Sequence, residues 1–228
     1  MNQNFRFIHL SDTHGEHERV NIPDEEFDAI FHTGDWANIE DFKEKDIELS
    51  FKQSIEFIDW FANIKCKNKI IVSGNHSLFL NDANLRSQFE EYCHNKGIIF
   101  LDDPRDTVEI NGVTIKGCGA YLKTMDIMPS KWSYYRDELF FENIFEDDVF
   151  DIMLVHNCPT DKTKNNNDFT CDDLTAYLEN HKQAPKVLLC GHVHVKKGRF
   201  RIKNTEVLNA SYEFNPKIQV YSVLKYLE

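Results

Sequence analysis

Five short polar motifs, spread along the chain, carry the kinds of side chain that bind divalent metal ions. They are Asp12-Thr13-His14, Gly34-Asp35, Gly74-Asn75-His76, the single His156, and Gly191-His192-Val193-His194. Carboxylate oxygens and imidazole nitrogens suit such ions, and an aspartate has two oxygens with which to bridge a pair of them. Each motif alone is common by chance. Their occurrence together, in the same structural context, favours a shared metal site.

That context is an apolar run, typical of a buried strand, immediately before each motif. The runs cover residues 5–10, 27–32, 69–73, 151–155 and 186–190. In layered α/β folds, the loops at the carboxyl ends of strands are where ligands converge. In extended chain, residues two apart point the same way, so Asp12 and His14 can reach one ion, as can His192 and His194. The sequence therefore predicts that the motifs meet at one edge of the fold.

The segments between these strands have patterns of their own. Residues 41–64 carry apolar side chains at helical spacing, and residues 84–95 and 171–181 also predict helices. Asn111-Gly112, flanked by apolar residues, indicates a two-residue hairpin. Residues 198–202, 205–208 and 218–224 predict further strands. Alternating strands and helices followed by β pairing indicate an α/β fold with two sheets packed face to face and helices outside.

Size, composition and charge narrow the class of protein. A chain of 228 residues with 41% apolar content predicts one folded domain, residues 1–228. No apolar run approaches the roughly 20 residues of a membrane span and no signal peptide is evident, so we expect a cytoplasmic protein. Six cysteines without a C-x-x-C pair predict reduced thiols. A net charge of −12 argues against binding of long nucleic acid, but not against a small anionic substrate beside bound cations.

The motif set D-x-H, G-D, G-N-H, H and G-H-x-H resembles the calcineurin-like metallophosphoesterase superfamily over residues 12–194. Asn209-Ala210-Ser211 is similar to a small branch of it that includes class III cyclic-nucleotide phosphodiesterases. The resemblance implies a four-layer α/β/β/α sandwich and two divalent metal ions, with Mn²⁺ expected and Fe, Zn, Ni or Mg as alternatives. It also implies hydrolysis of small phosphodiesters, such as cyclic nucleotides, by a metal-bridging hydroxide.

The resemblance further implies a role for each motif residue. The first metal would be held by Asp12, His14 and His194, the second by Asn75, His156 and His192, and both by the bridging Asp35. His76 is similar to the family's catalytic histidine, which contacts the phosphate. The family usually has an acid directly after G-N-H, where this chain has Ser77. Asp82 or Asp35 can replace that acid only if the fold brings one of them near His76.

Several alternatives remain open from the sequence. The aromatic group of Trp36, Trp132, Tyr134 and Tyr135 either stacks on a nucleobase or fills the core, with Trp36 and Trp132 as the candidate substrate contacts. The basic run Lys196, Lys197, Arg199 and Arg201 is either a solvated hairpin face or a phosphate-capturing rim. The remaining histidines, at positions 9, 17, 32, 94 and 181, are interpreted as core or surface residues.

The expected partner is a small phosphoester, in particular a nucleotide. A phosphomonoesterase, acting on proteins or nucleotides, requires the same metals and stays an alternative. A nuclease is a further alternative, disfavoured by the negative charge. Ser77 also leaves open a catalytically inactive scaffold that binds metal without turnover.

Overall fold

The computed structural model describes residues 4–38, 46–119, 121–122, 135–136, 145, 149–163, 169–196, 198–211 and 219–224. The strands in this part of the chain are β1 Asn4–Leu10, β2 Ala29–His32, β3 Lys69–Ile71, β4 Ile98–Phe100, β5 Thr107–Ile110, β6 Val113–Cys118, β7 Tyr121–Leu122, β8 Tyr135–Arg136, β9 Ile152–Val155, β10 Val187–Cys190, β11 Gly198–Ile202, β12 Thr205–Asn209 and β13 Gln219–Leu224. The α-helices are α1 Ile47–Asn63, α2 Ala83–Asn95 and α3 Asp172–Asn180.

Two mixed sheets carry the motif loops. The first has the order β13-β1-β2-β3-β4 and is parallel except for β13. The second has the order β11-β12-β10-β9-β6-β5, in which the four inner strands are parallel and the two edge strands antiparallel. Every motif follows a parallel strand. The carboxyl ends of these parallel strands, and the motif loops that follow them, therefore lie along the same edge of each sheet, as predicted.

Successive side chains of each strand point to opposite faces of its sheet and so pack in different layers. Phe5 and Phe7 of β1 belong to the apolar cluster that also holds Leu154 of β9 and Leu189 of β10, so the two sheets pack face to face. Ile8, one residue out of phase, belongs instead to a cluster on the opposite face of the first sheet. Both faces of each sheet are therefore covered, which explains why these strands read as continuous apolar runs.

The helices cover the outer faces. Phe57 of α1 and Phe89 of α2 are completely buried against the first sheet. Leu174 of α3 packs with Met153 and Leu188 on the outer face of the second sheet. The resulting order of helix, sheet, sheet and helix confirms the predicted four-layer sandwich.

The element boundaries agree with the prediction in most places. The 111–112 hairpin is confirmed, since Asn111 and Gly112 have φ angles of 50° and 73° between β5 and β6. The first predicted helix is confirmed over α1, which begins at Ile47 after Asp46 caps it by accepting a hydrogen bond from the backbone N–H of Leu49 at 2.7 Å. Residues 39–45, where the helix was expected to start, lie outside the described residues. Strand β4 was not predicted.

All six cysteines are free thiols, as expected, and five of them are buried. Burial raises the pKa of Cys171 to about 12, so this thiol is inert at neutral pH. Among the described residues, no helix combines the length and the apolar composition that a membrane span requires.

Candidate metal centre

Backbone hydrogen bonds join neighbouring motif loops within each sheet. In the first sheet, the N–H of Asp12 donates to the carbonyl of Gly34 at 2.9 Å, and that of His14 to the carbonyl of Asp35 at 3.1 Å. In the second sheet, the N–H of Gly191 donates to the carbonyl of His156 at 3.0 Å. The loops that carry the motifs are thus fixed to one another as well as to the ends of their strands.

The side chains of these loops converge into two clusters. The first consists of Asp12, His14 and His194, and the second of Asp35, His156 and His192. Within each cluster, the oxygen or nitrogen atoms that can bind a metal all lie within 4.8 Å of one another. Each cluster joins a carboxylate from the first sheet to a histidine from the second. A bound ion would therefore link the two sheets.

The first cluster is centred on the Asp12 carboxylate. Its Oδ1 lies 3.0 Å from Nε2 of His194 and 3.9 Å from Nε2 of His14. The Nε2 atoms of His14 and His194 are 3.4 Å apart. Three potential metal-binding atoms, two from the first motif and one from the last, thus lie close together.

The second cluster includes Asn75 as an additional oxygen donor. Asn75 Oδ1 lies 3.0 Å from Nε2 of His156 and 3.0 Å from Nδ1 of His192. Nε2 of His156 also lies 3.0 Å from Oδ2 of Asp35. All seven residues predicted to hold metal are therefore brought together, and Asn75 adjoins the cluster to which the resemblance assigned it.

The charges of the two carboxylates are balanced by histidines. Asp12 and Asp35 are 0% and 2% exposed, and their ion pairs among the described residues are to histidines only. Burial alone would raise the pKa of Asp12, but the hydrogen bond with His194 and the charge of His156 outweigh it and hold the pKa well below its usual range. The pKa of Asp35 is lowered in the same way against burial, mainly by the charges of His156 and His76.

The pKa values of the two histidines in the second cluster shift in opposite directions. Burial favours the neutral form of His156, but the charge and hydrogen bond of Asp35 outweigh it and raise the pKa to about 9. Burial lowers the pKa of His192 to about 3, so that ring is neutral, the form that binds metals. The second cluster thus offers a neutral imidazole at His192 and, at His156, an imidazole that can bind a metal once it has lost its proton. Together with the two buried carboxylates, these rings are a donor set that fits divalent cations. An ion would take over the compensating charge that protonated His156 provides.

The glycines of the motifs allow this close approach. A Cβ at Gly74 would overlap the Asp35 carboxylate and would lie 2.7 Å from its backbone nitrogen. A Cβ at Gly191 would collide with Ser11 Oγ and the Asp12 carboxylate. Gly34 has a φ of +95°, and a Cβ there would lie 2.7 Å from the Gly74 backbone. These three positions cannot hold a larger residue without displacing a metal-binding side chain.

Unusual backbone angles also concentrate here. In the described part of the chain, seven non-glycine residues have positive φ, and four are predicted metal ligands. The four are Asp12 at 53°, His14 at 42°, Asp35 at 56° and His192 at 65°. Such angles are sparsely populated by residues with a Cβ and persist where the surrounding structure enforces them. They indicate that the fold holds these side chains in place.

His76, the predicted catalytic residue, lies beside both clusters. Its ring centroid is 5.0 Å from that of His14, and its Nε2 is 3.7 Å from Oδ2 of Asp35. Its side chain is 15% exposed, which leaves it accessible to a small ligand. Of the two acids considered as substitutes for the acid missing at position 77, Asp35 is therefore near. Asp82 instead caps α2 by accepting from the N–H groups of Asn84 and Leu85.

Residues beyond the motifs position the loops. Asn209, at the end of β12, donates from Nδ2 to the backbone carbonyl of Val193 at 3.0 Å, between the two histidines of the last motif. Ser11 donates from Oγ to Oδ2 of Asp12 at 2.5 Å. Sequence reasoning assigned neither role. The available signals were the position of Asn209 at a strand end and that of Ser11 directly before Asp12.

The predicted substrate contacts have separate outcomes. The Trp36 ring is 0% exposed and stacks between Phe57 and Phe89, and its Nε1 donates to Ser54 Oγ at 2.8 Å. The structure thus supports the core interpretation, and the prediction that Trp36 contacts substrate is corrected, because no face of the ring is accessible. Trp132 lies outside the described residues.

The other open interpretations concern charged and titratable side chains. In the basic run, Arg199 forms an ion pair with Glu206 on the paired strand, as expected of a solvated hairpin face, and Lys197 lies outside the described residues. His9, His17 and His32 are buried, as the core interpretation required. His32 approaches Thr13 Oγ1 with Nε2 at 3.2 Å and so supports the Asp12-Thr13-His14 loop from within the core.

Comparisons with known proteins agree with this geometry. Residues 5–196 match the family model described as Calcineurin-like phosphoesterase. The crystal structure of TT1561 from Thermus thermophilus has a TM-score of 0.65 at 14% identity, with 96% of this chain and 99% of that chain covered. The crystal structure of phosphopantetheinyl hydrolase from Mycobacterium tuberculosis has a TM-score of 0.56 at 11% identity, with 89% of this chain and 87% of that chain covered. At such identities, these two structures show a common fold alone.

Proposed function

Because this chain belongs to the calcineurin-like phosphoesterase family, a family of metal-dependent phosphoesterases, we propose that it hydrolyses small phosphodiesters such as cyclic nucleotides. The observation that carries the proposal is the convergence of two histidine–carboxylate clusters within reach of His76. Two divalent cations held there would lower the pKa of a shared water and neutralise phosphoryl oxygens. Asp12, His14 and His194 would hold one ion, Asn75, His156 and His192 the other, and Asp35 both.

The choice of a diester over a monoester rests on the resemblance of Asn209-Ala210-Ser211 to the branch that includes class III cyclic-nucleotide phosphodiesterases. The acids near the clusters do not decide between the two substrates. Glu16 and Glu56, which line the cavity next to His14, form ion pairs with Arg19 at 2.8 Å and with Lys52 at 3.9 Å. Bound cations would in turn neutralise the charges of Asp12 and Asp35.

His76 is proposed as the residue that contacts the reacting phosphate. Its backbone N–H donates to Oδ1 of Asp35 at 2.9 Å, which orients both that carboxylate and the loop that carries the ring. With a protonated ring, His76 would stabilise negative charge on a phosphoryl oxygen or give a proton to the departing alkoxide. With a neutral ring, it would donate only a hydrogen bond.

Turnover of paired model substrates tests the proposal. Metal-stripped protein is reloaded separately with Mn²⁺, Fe²⁺, Zn²⁺, Ni²⁺ or Mg²⁺ and assayed with bis-p-nitrophenyl phosphate, p-nitrophenyl phosphate and cyclic nucleotides. We expect the diesters to be hydrolysed with at least one metal, at a higher kcat/KM than the monoester. A clear preference for the monoester would instead assign a phosphomonoesterase, and no turnover of any ester would support the inactive scaffold.

Substitution of His76 separates catalysis from metal binding. His76→Ala should retain the metal content of the parent and lose about 10²–10⁴-fold in kcat, the usual contribution of a general acid or base. His94→Ala, which removes an exposed histidine from α2, serves as the matched control and should keep both the metal content and the kcat of the parent. Parent-like activity in His76→Ala would reject the proposed role.

A further inference from the structure

The buried face of α1 is apolar in its second half but carries two serines in its first half. Its completely buried residues are Ser50, Ser54, Phe57, Ile58 and Phe61, which recur at helical spacing on one side of the helix. Serine favours helices less than alanine or leucine does, and a buried hydroxyl costs free energy unless it is hydrogen-bonded. The two serines therefore indicate that their hydroxyls have specific partners.

The hydroxyls of the two serines form different kinds of hydrogen bond. Ser54 donates from Oγ to the carbonyl of Ser50 at 2.7 Å, a bond to the preceding turn that helical serines commonly form. Ser50 instead donates from Oγ to the backbone carbonyl of His76 at 3.1 Å, on the loop after β3. The Ser50 hydroxyl thus joins α1 directly to the residue proposed to contact the reacting phosphate.

The backbone of His76 is held on both sides of its Cα atom. Its N–H donates to Oδ1 of Asp35 at 2.9 Å, and its carbonyl accepts both from Ser50 and from the N–H of Leu78 at 2.9 Å. The Leu78 bond lies within the loop and moves with it, whereas the Ser50 bond ties the loop to a helix. Loss of the Ser50 hydroxyl would leave the carbonyl its bond from Leu78. The loop could then move without leaving a buried carbonyl unpaired.

The turn of α1 that carries Ser50 is itself fixed beside Asp35. Trp36, the residue after Asp35, donates from Nε1 to Ser54 Oγ at 2.8 Å, and its ring stacks on that of Phe57. Because Ser54 donates in turn to the carbonyl of Ser50, the position of Ser50 is set relative to the loop of the proposed bridging ligand. One turn of α1 therefore holds two motif loops in a fixed relation.

We propose that Ser50 is a positioning residue, which sets the place of His76 relative to the two metal-binding clusters. The inference rests on the proposed function and deepens it, since it assigns a residue outside the motifs to the same site. The His76 ring lies 5.0 Å from that of His14 between centroids, and its Nε2 is 3.7 Å from Oδ2 of Asp35. A shift of the loop changes these distances, and a misplacement of about 1 Å can lower a rate about 10²-fold.

Steady-state kinetics of Ser50→Ala tests the inference. The variant removes the donor and introduces a good helix former, so the fold should persist. With metal-loaded protein and bis-p-nitrophenyl phosphate, we expect kcat to fall about tenfold, while KM stays within about twofold and the metal content is unchanged. Ser50→Cys retains a weak donor at similar volume and should keep more of the parent's kcat than Ser50→Ala.

Thr205→Val is the matched control for these variants. Thr205 is also completely buried, and its Oγ1 donates to the carbonyl of Pro185 at 2.6 Å, at the end of the second sheet opposite the motif loops. The change removes a comparable bond far along the strands from the clusters, so the kcat of the parent should be kept. An unchanged kcat in Ser50→Ala, an equal loss in Thr205→Val, or a loss of metal in Ser50→Ala would overturn the inference.

Nuclear magnetic resonance separates this inference from the proposed function, because it requires no turnover. The full chain is measured with and without diamagnetic Zn²⁺, and the ring signals of His14 and His76 are assigned from variants that replace each by alanine. We expect the Overhauser contact between the two rings to weaken in Ser50→Ala and to persist in Thr205→Val. If no ester is hydrolysed, the proposed function fails and this contact alone decides. An unchanged contact in Ser50→Ala would then reject the positioning role as well.

Discussion

The Asp35 carboxylate contacts His76 through both of its oxygens. Oδ1 accepts a hydrogen bond from the backbone N–H of His76 at 2.9 Å, and Oδ2 lies 3.7 Å from Nε2 of the same residue. Burial lowers the pKa of the His76 ring, and the negative charge of Asp35 opposes this without cancelling it. Asp35 thus partly replaces the acid that is missing at position 77, but the ring stays neutral at neutral pH.

Replacement of Ser77 by an acid should change the pH dependence of catalysis. A His76 that acts in its protonated form gives activity that falls as pH rises through its pKa, which lies below 6.5. Ser77 is 1% exposed, so a carboxylate in Ser77→Asp would be poorly screened and would raise that pKa. We expect the falling limb of the pH–kcat profile to move up by about one pH unit.

Ser77→Asn is the control for this experiment, because it adds similar volume without charge. The profiles are measured from pH 5 to 9 with a diester substrate, and metal content is determined at each pH. Equal displacement of the limb in Ser77→Asp and Ser77→Asn would argue against an electrostatic role. An unmoved limb in Ser77→Asp would show that His76 does not act as an acid.

Metal binding should release a proton from His156. The pKa of this ring is raised to about 9 in the metal-free fold, against 6.5 for an ordinary histidine, so it is protonated at pH 7.5 and must lose that proton to bind a metal. Apparent metal affinity should rise about tenfold per pH unit between pH 7 and 9 and level off above pH 9. Calorimetry in buffers of different ionisation enthalpy should detect about one proton released per protein at pH 7.5.

The raised pKa of His156 also predicts how the stability of the metal-free protein depends on pH. A histidine with a raised pKa stabilises the fold fully below its unfolded pKa of 6.5, and this contribution is lost as pH rises to about 9. Urea denaturation should therefore give a free energy of unfolding that falls between pH 6.5 and 9 without metal, and much less with metal bound. A constant value over this window would contradict the charge assigned to His156.

The sequence predicted the meeting of the ligands because their arrangement follows from strand periodicity. Each motif comes directly after a parallel strand, and parallel strands end on the same side of a sheet, so the motifs of one sheet, such as those of Asp12 and Asp35, lie together. The face-to-face packing of the two sheets then brings His192 to Asp12, although 180 residues separate them. Trp36 was harder to place. It follows Asp35 directly, but the chain turns at Gly34 and Asp35, and the tryptophan ring enters the core against Phe57. Neighbourhood in sequence is a poor guide to side-chain direction in such a turn.

Other features of the site have no local sequence pattern. The positive φ angles of Asp12 and His192 are imposed by contacts with distant loops, such as the hydrogen bond from the His192 N–H to the Asp12 carboxylate at 3.0 Å. The cavity lined by His17 and Gln53 likewise depends on how α1 packs beside the first motif loop. Both result from tertiary packing, which composition and spacing do not specify.

Gly74→Ala should reduce the metal content of the protein, because it displaces Asp35, the residue proposed to hold both ions. The added Cβ would overlap the Asp35 carboxylate and approach its backbone nitrogen to 2.7 Å, so Asp35 would have to move. Gly97→Ala is the matched control. Gly97 has a φ of +69° after α2, and no neighbouring atom lies within 4 Å of the new Cβ. This change should therefore lower the free energy of unfolding by only about 1–2 kcal/mol and leave the metal content unchanged. Metal stoichiometry by mass spectrometry distinguishes the two. Full metal content in Gly74→Ala would show that Asp35 is not a ligand.

Asn209→Ala should weaken metal binding although Asn209 itself binds no metal. Its Nδ2 donates to the carbonyl of Val193 at 3.0 Å, and its Oδ1 accepts from the N–H and hydroxyl of Ser211 at 3.0 and 2.8 Å. Loss of this support should lower metal affinity about 10–100-fold, as for other residues that orient ligands. Asn68→Ala breaks a comparable bond, from Nδ2 to the carbonyl of Asp28 at 2.7 Å, at the opposite end of the first sheet. The metal affinities of the two variants are measured by calorimetry and compared at a similar loss of thermal stability. The comparison shows whether Asn209 positions the loop that carries His192 and His194 or only stabilises the fold. Equal affinities would show that Asn209 supports the fold in general and does not position His192 and His194.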